Sequence, residues 1–443
     1  MPLWVAVAFA LWPAILSAPP QHATPARGAQ ASITALPESL PVPPEAQASA
    51  HFDPVAATNA YLATVPAAAR ARSDAYFEGG YWLWLWDFLA AIAAYVLVLR
   101  TGLSAALGRV ATRVGRLRSL EPALYWAQFT VATTAILFPL TVYEGFVRER
   151  AYGLATQTFG PWLEDQVKLL AVNVVLGALF ATVVYAVVRR ATRTWWIWGG
   201  VVSIGFYMFT VLISPIYVDP LFNRYTKLED PRVRDPILRL ARANGIAARD
   251  VYVMDASRQS TRVSANVSGF LGTERITLND NLLKRCTLPE IESTMGHEMG
   301  HYVMHHVYKS VLFFGIVLIG CFAFLRWAGD WALARWARSW RVGGVEDVAA
   351  LPLYAVLVTA YFWVLTPVTN TYIRVQEAEA DLFGLNAARQ PDGEALVDLK
   401  LADYRKLDPG PLEEFFFFDH PSGRNRIYVA MRWKAEHLAD TTN

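Results

Sequence analysis

Charge is scarce in this sequence. Asp, Glu, Lys and Arg make up 18% of its 443 residues, and lysine supplies seven of the 40 basic residues against 33 arginines. With 54% hydrophobic residues the chain is too apolar for an ordinary soluble protein, so membrane spans are the first expectation. A formal net charge of +2 leaves no basic footprint for nucleic acid and gives no reason to expect an acidic partner. Cysteine is nearly absent. Cys286 lies in a polar region and Cys321 in an apolar run, so no disulfide is expected between them and the compartment stays open. There is no internal repeat. The poverty of lysine beside arginine points to a GC-rich, bacterial genome.

Long apolar runs, in contrast, are plentiful. Six stand out: Tyr81–Leu99, Ala123–Tyr143, Leu169–Val188, Trp195–Tyr217, Ser310–Leu325 and Ala350–Thr369. Most approach the roughly 20 residues that a bilayer core demands. Trp and Tyr crowd several ends, as in "YWLWLW" from Tyr81 and "WWIW" from Trp195, where amphipathic rings favour the headgroup level. Residues 1–18 form another apolar run without a basic start, and both a signal peptide and a first span are open readings. Residues 19–79 read as an Ala/Pro-rich linker. The expected order is then four spans over 80–217, a polar region over 218–309, two spans over 310–370, and a second polar region over 371–443.

Arginine is unevenly spread between the spans. Arg100, Arg109, Arg113, Arg116 and Arg118 follow the first main span; Arg189, Arg190 and Arg193 precede Trp195; Arg326, Arg335, Arg338 and Arg341 separate the last two. All fall on one face, which the positive-inside rule makes cytoplasmic, with the polar regions opposite.

In the first polar region "DPILRLARANGI" has helical apolar spacing, and "DVYVMD", "RVSANVSGF" and "ERITLND" read as strands. Thr287 and Glu290 have capping-box spacing at the start of a helix that runs through "STMGHEMGHYVMHH". There His297-Glu298-Met299-Gly300-His301 spells HExxH. Histidines four apart project from one helix face and can share a metal ion at about 2.1 Å each. Glu298, one step round, is placed to take a proton from a metal-held water. A zinc ion needs a third protein ligand. His305 lies two turns beyond His297, about 12 Å along the axis, too far to share the ion. "RVQEAEADLFGL", Arg374 to Leu385, offers Glu377 and Asp381 on one helix face, with Glu379 pointing away. One could ligate and the other orient a histidine; a solvated acidic surface is the plain alternative.

These motifs resemble the M48 membrane zinc metalloproteases, in particular the Ste24 (CAAX prenyl protease) branch. HExGHxxxxH is matched by His297, Glu298, Gly300, His301 and His306. ExxAD is matched by Glu377, Ala380 and Asp381, HPxxxxR by His420, Pro421 and Arg426, and the PLFN-type segment by "PLFNRYTKL" from Pro220. The resemblance implies a mainly α, polytopic membrane protein: six to seven transmembrane helices around a water-filled chamber, with a small α+β zincin-type catalytic domain. It implies one Zn2+ per chain on His297, His301 and Glu377, with Asp381 as partner of a ligand histidine. Glu298 is the implied general base, His420 stands near the developing oxyanion, and Arg426 supports that place. Substrate is implied to add as a strand along Ser264, Ala265 and Asn266. Family members usually carry Asn-Ala where this chain has Ser264-Ala265, so a hydroxyl stands where the family has a carboxamide.

The expected activity is therefore that of an integral-membrane zinc metalloendopeptidase acting on polypeptides, possible substrates being misfolded or membrane-associated chains, in the lipid bilayer of a bacterial cell membrane. The side on which catalysis occurs stays open, because the resemblance favours the cytosol and the arginines the opposite face. The alternative is a non-catalytic scaffold or chaperone-like homologue, against which the retained Glu298 counts. A site-2-type protease is excluded, since the HExxH helix is too polar for a bilayer span.

Overall fold

The computed structural model describes residues 40–115, 118–268 and 274–438, so the apolar run 1–18 lies outside the described residues. Among these, six helices are long and apolar enough to cross a membrane: α2 (Ala67–Arg100), α4 (Glu121–Ala151), α5 (Phe159–Arg190), α6 (Trp195–Leu221), α10 (His306–Trp340) and α11 (Leu351–Ala388). Each covers one of the six apolar runs, α11 all but its first residue Ala350, and each is longer than its run. α11 has 38 residues, which at 1.5 Å per residue spans about 57 Å against roughly 30 Å of hydrocarbon. Its apolar run ends at Thr369 while the helix continues to Ala388, so one rigid rod carries Glu377 and Asp381 from the bilayer to the site. Two spans contain a π-helical turn, Tyr143–Arg148 in α4 and Ser214–Val218 in α6. Pro139 and Pro215, which cannot donate to the helical ladder, lie at or just before these turns.

The short helix α3 (Leu103–Val114) lies between α2 and α4. Its Ser104 hydroxyl donates to the Ala349 carbonyl (2.6 Å), which fixes it near the start of α11. At the same end Arg189 pairs with Glu121 (2.5 Å) and Arg326 donates to the Arg193 carbonyl (2.6 Å). The three arginine-rich segments thus meet at one end of the bundle. At the other end of α2, Ser73 donates to the Arg405 carbonyl (3.0 Å), Lys406 pairs with Glu78 (2.7 Å), and the Tyr81 hydroxyl donates to Glu413 (2.6 Å). These contacts fasten that end to the polar regions.

The expected linker over 19–79 requires correction from Pro54 onward. Helix α1 (Pro54–Ala63) starts at Asp53, whose carboxylate accepts from the Val55 amide (2.9 Å), with Pro54 at the first helical position. Its Ala57, Tyr61 and Leu62 are buried against Ala395, Leu396, Ile427, Ala430 and Met431. The segment is thus part of the second polar region's core, and α2 begins directly after it at Ala67.

The polar regions hold a four-stranded sheet in the order β1-β2-β4-β3: β1 (Tyr225–Lys227), β2 (Val251–Met254), β3 (Ala265–Ser268) and β4 (Arg275–Asn279). β2 and β4 are parallel, and β1 and β3 join antiparallel at the two sides. Strand β1 was not anticipated from sequence. Helix α7 (Pro231–Ala243) covers the sheet with Val233, Ile237 and Ala241, spaced four apart and fully buried. α8 (Asp280–Arg285) follows β4, and α9 (Leu288–Val303) is the HExxH helix. Helices α12 (Pro391–Leu401), α13 (Pro411–Phe417) and α14 (Gly423–Glu436) complete the second region.

Candidate active site

Helix α9 is set at its start by Glu290, a fully buried carboxylate that accepts from the Thr287 amide (2.8 Å) and from Lys400 Nζ (2.5 Å). The helix then crosses α11 at very short range. Gly296 and Gly300 on α9 face Ala380 and Gly384 on α11, both pairs four apart. A Cβ on Gly300 would stand 3.1 Å from the Ala380 Cα, and one on Gly384 only 2.7 Å from the His297 amide nitrogen. Absent side chains let the backbones close, and the neighbouring Glu377 and Asp381 then reach the histidines.

His297 Nε2 lies 3.2 Å from Glu377 Oε2, His301 Nε2 lies 3.4 Å from Glu377 Oε1, and the two Nε2 atoms are 3.1 Å apart. Glu377 and His297 are buried. Each imidazole is held from behind through its other nitrogen. His297 Nδ1 donates to Asp381 Oδ1 (2.7 Å), and His301 Nδ1 pairs with His306 Nδ1 (2.8 Å), whose Nε2 donates to Glu379 Oε2 (3.1 Å). With the Nδ1 protons so engaged, the Nε2 lone pairs of His297 and His301 face each other and a carboxylate. That arrangement is repulsive unless a cation lies between them. Glu377 Oε2 is buried without a hydrogen-bond partner.

The donor set fits a metal ion. Ligand atoms about 2.0–2.1 Å from a tetrahedral zinc are about 3.3–3.4 Å apart, close to the separations found here. His297, His301 and Glu377 are also the one group of three or more His, Cys, Asp or Glu among the described residues whose ligand atoms converge on a point.

Glu298 stands in the field of the same three groups, His297, His301 and Glu377, and of His420. Burial pushes its carboxyl up, and the histidines oppose the shift. His420 Nε2 is 3.3 Å from Glu377 Oε2, and its Nδ1 pairs with Asp419 Oδ1 (2.8 Å). Three imidazoles therefore direct Nε2 at one carboxylate, each held at Nδ1 by its own partner.

Arg426 was expected to support the place beside His420. Its guanidinium is buried on the Nδ1 side of His297, where it donates from Nε to Asp381 Oδ2 (2.9 Å) and also meets Asp398 (3.1 Å) and Glu394 (3.3 Å). Glu394 and Asp398 were missed in the sequence. They are four apart on α12, a spacing that places both on one face, but nothing in it tells a buried face from a solvated one. Glu379 does point away from Glu377, as expected, and its partners are His306 and Lys309. Arg374 donates to the carbonyls of Glu414 (3.0 Å) and Phe418 (2.5 Å).

His306 reaches His301 because the helix breaks between them. His305 adopts a left-handed conformation (φ 59°), ends the α9 segment and starts α10 in a new direction. On an unbroken helix residues five apart would diverge by about 140°.

β3 is an edge strand whose one strand partner among the described residues is β4. Ala265 and Asn266 lie in it, opposite Leu278 and Thr277. Ser264 just precedes it, exposed, its carbonyl accepting from the Asn279 amide (2.9 Å). Asn279 and Asn281 both donate to the Arg262 carbonyl (2.8 and 2.9 Å), which fixes the approach to the strand.

The sequence profile of peptidase family M48 matches residues 227–434, and that of the CAAX prenyl protease N-terminal region, with five membrane helices, matches residues 59–224. An uncharacterized metalloprotease of Bacillus subtilis (strain 168), YhfN, is 30% identical over 315 residues, which cover 71% of this chain and 74% of that one. A CAAX prenyl protease 1 homolog of Oryza sativa subsp. japonica is 26% identical over 309 residues, covering 68% and 70% of the two chains. The crystal structure of S. mikatae Ste24p aligns with a TM-score of 0.70 over 83% of this chain and 89% of that one; at 18% identity the likeness is one of fold.

Fold, site and relatives together define a multi-pass integral-membrane metalloendopeptidase. Within that class the chain belongs to peptidase family M48, with its CAAX prenyl protease relatives.

Proposed function

We propose that the chain hydrolyses polypeptides at one zinc ion held by His297, His301 and Glu377, with Glu298 as general base. The observation that carries this reading is the convergence of two Nε2 atoms and a buried carboxylate within 3.1–3.4 Å, each histidine being held at Nδ1. Zinc in that place supplies Lewis acidity toward a peptide carbonyl and makes water acidic enough to attack near neutral pH. Glu298 takes the proton from the attacking water and delivers it to the leaving nitrogen; its raised affinity for a proton suits both halves of that task. His420, fixed by Asp419, directs Nε2 at the same centre and stabilises negative charge as it develops on the carbonyl oxygen. The substrate adds to the side of β3 away from β4, where main-chain pairing along Ala265 and Asn266 fixes its register.

Main-chain pairing recognises extended peptides of many sequences. It supports membrane-associated or misfolded polypeptides in a bacterial cell membrane as the substrates. Glu298→Gln tests the assignment: the variant should keep its zinc and lose peptide cleavage. Cleavage at the normal rate by a zinc-loaded Glu298→Gln protein would reject Glu298 as the base. A peptide library with and without a farnesyl group tests the substrate class, and strict dependence on the farnesyl group would overturn it.

A further inference from the structure

At the end of the bundle far from the histidines, α3 and the segment that links α10 to α11 enclose a cleft of about 370 Å³. Arg109, Arg113 and Arg341 line it, over a floor of the small residues Ala105, Gly108 and Ala349. Two acids also reach it, and both are engaged. Glu121 holds Arg189 (2.5 Å) and accepts from the Thr112 hydroxyl (3.0 Å), while Asp347 accepts from the amides of Gly343 (2.6 Å) and Ala349 (2.9 Å). The three arginines, in contrast, have no ion pair or side-chain hydrogen bond among the described residues. Arg341 is moreover fixed in a left-handed conformation (φ 58°) at the end of α10, a backbone state that an arginine adopts only at a cost.

The same short helix has a second, apolar face. Leu103, Val110 and Val114 are all exposed, the last at 64%, and their spacing of seven and four residues puts them on one stripe beside Arg109 and Arg113. Exposed Trp327 and Trp331 stand on the last turns of α10, at the same end. An apolar stripe, adjoining guanidiniums and neighbouring tryptophans are the marks of a helix lying in the membrane interface.

We propose that this cleft holds the phosphate of an anionic phospholipid, with Arg109, Arg113 and Arg341 as donors and the acyl chains along Leu103, Val110 and Val114. Three convergent guanidiniums match a phosphodiester's charge and acceptors. A zwitterionic lipid brings a choline cation into a cleft that is already positive.

Native mass spectrometry of the full chain in detergent, titrated with phosphatidylglycerol or phosphatidylcholine, tests the proposal. One phosphatidylglycerol should remain bound per chain, and the triple variant Arg109→Gln, Arg113→Gln, Arg341→Gln should bind it on the order of a hundredfold more weakly. A control with equal loss of charge at the same end, Arg190→Gln, Arg193→Gln, Arg338→Gln, should bind as wild type. Should the triple variant not fold, Arg113→Gln alone should weaken binding about fivefold. Equal loss in the control, equal retention of phosphatidylcholine, or competition by millimolar inorganic phosphate would each overturn the assignment.

Discussion

Gly384 rests against the backbone of His297: a Cβ there would lie 2.7 Å from the His297 amide nitrogen and 3.1 Å from its Cα. No side-chain rearrangement relieves a clash with backbone, so any larger residue must part α9 from α11. The whole site depends on that approach, because Glu377 rides on one helix and His297 and His301 on the other.

Gly384→Ala is therefore expected to destabilise the protein by about 1–3 kcal/mol or more and to weaken metal binding as well. Gly205, on α6, has nothing within 4 Å of its Cβ position, and Gly205→Ala should leave both unchanged or raise stability slightly. Thermal melting with and without a chelator reads both effects. Equal melting temperatures for the two variants would contradict the account.

The partners behind the histidines should matter nearly as much as the ligands. Asp381→Ala removes the acceptor that fixes His297 Nδ1, and His306→Ala removes the one that fixes His301 Nδ1. Each is expected to lower zinc affinity by roughly 10–100-fold, measured by competition with a metal-binding dye. Asp381→Ala should have the larger effect, since it also leaves Arg426 short of one of its three carboxylates. Unchanged affinity in both would show that the ring orientation is set by something else.

Asp398 gives a pH signature. Burial raises its carboxyl well above the ordinary value, and Glu394 and Asp381 add to the rise, while Arg426 opposes it. The folded protein thus binds a proton that the unfolded chain releases near pH 3.9. Stability from this group is complete below that pH and falls as pH rises toward the folded pKa, by up to about 1.4 kcal/mol per unit. Asp398→Asn keeps the shape without the charge and should flatten this part of the melting-temperature profile. Arg426→Met, which takes the buried cation away from Asp381 and Glu394, should destabilise by about 3–5 kcal/mol. A steeper profile in Asp398→Asn would contradict the assignment.

The spans were legible because twenty-residue apolar runs have few other uses, and the HExxH segment because histidines four apart share one helix face; ExxAD and HPxxxxR were read through the family resemblance. What escaped was set by neighbours distant in the chain. Helix α1 looked like linker, since its alanines have little amphipathic contrast and its burial comes from α14, more than 360 residues on by the Arg424–Asn59 contact (separation 365). Its start signal, Asp53 before Pro54, was nevertheless present in the sequence. The left-handed turn at His305 was hidden too, because glycine, the usual marker of that conformation, is missing there. The contacts of Arg426 with Asp381, Glu394 and Asp398 were hidden as well, because HPxxxxR fixes its distance from His420 along the chain but not the path between them. Glu394 and Asp398 read as an ordinary polar helix face.

Zinc content against ligand identity tests the central claim most directly. Wild-type protein and Glu298→Gln, purified from the membrane and measured by inductively coupled plasma mass spectrometry, should each carry about one zinc per chain. Glu377→Ala should carry almost none while keeping its helical circular dichroism. A folded Glu377→Ala protein that retains a full equivalent of zinc would contradict the account, since the carboxylate at the end of α11 would then not be what closes the site.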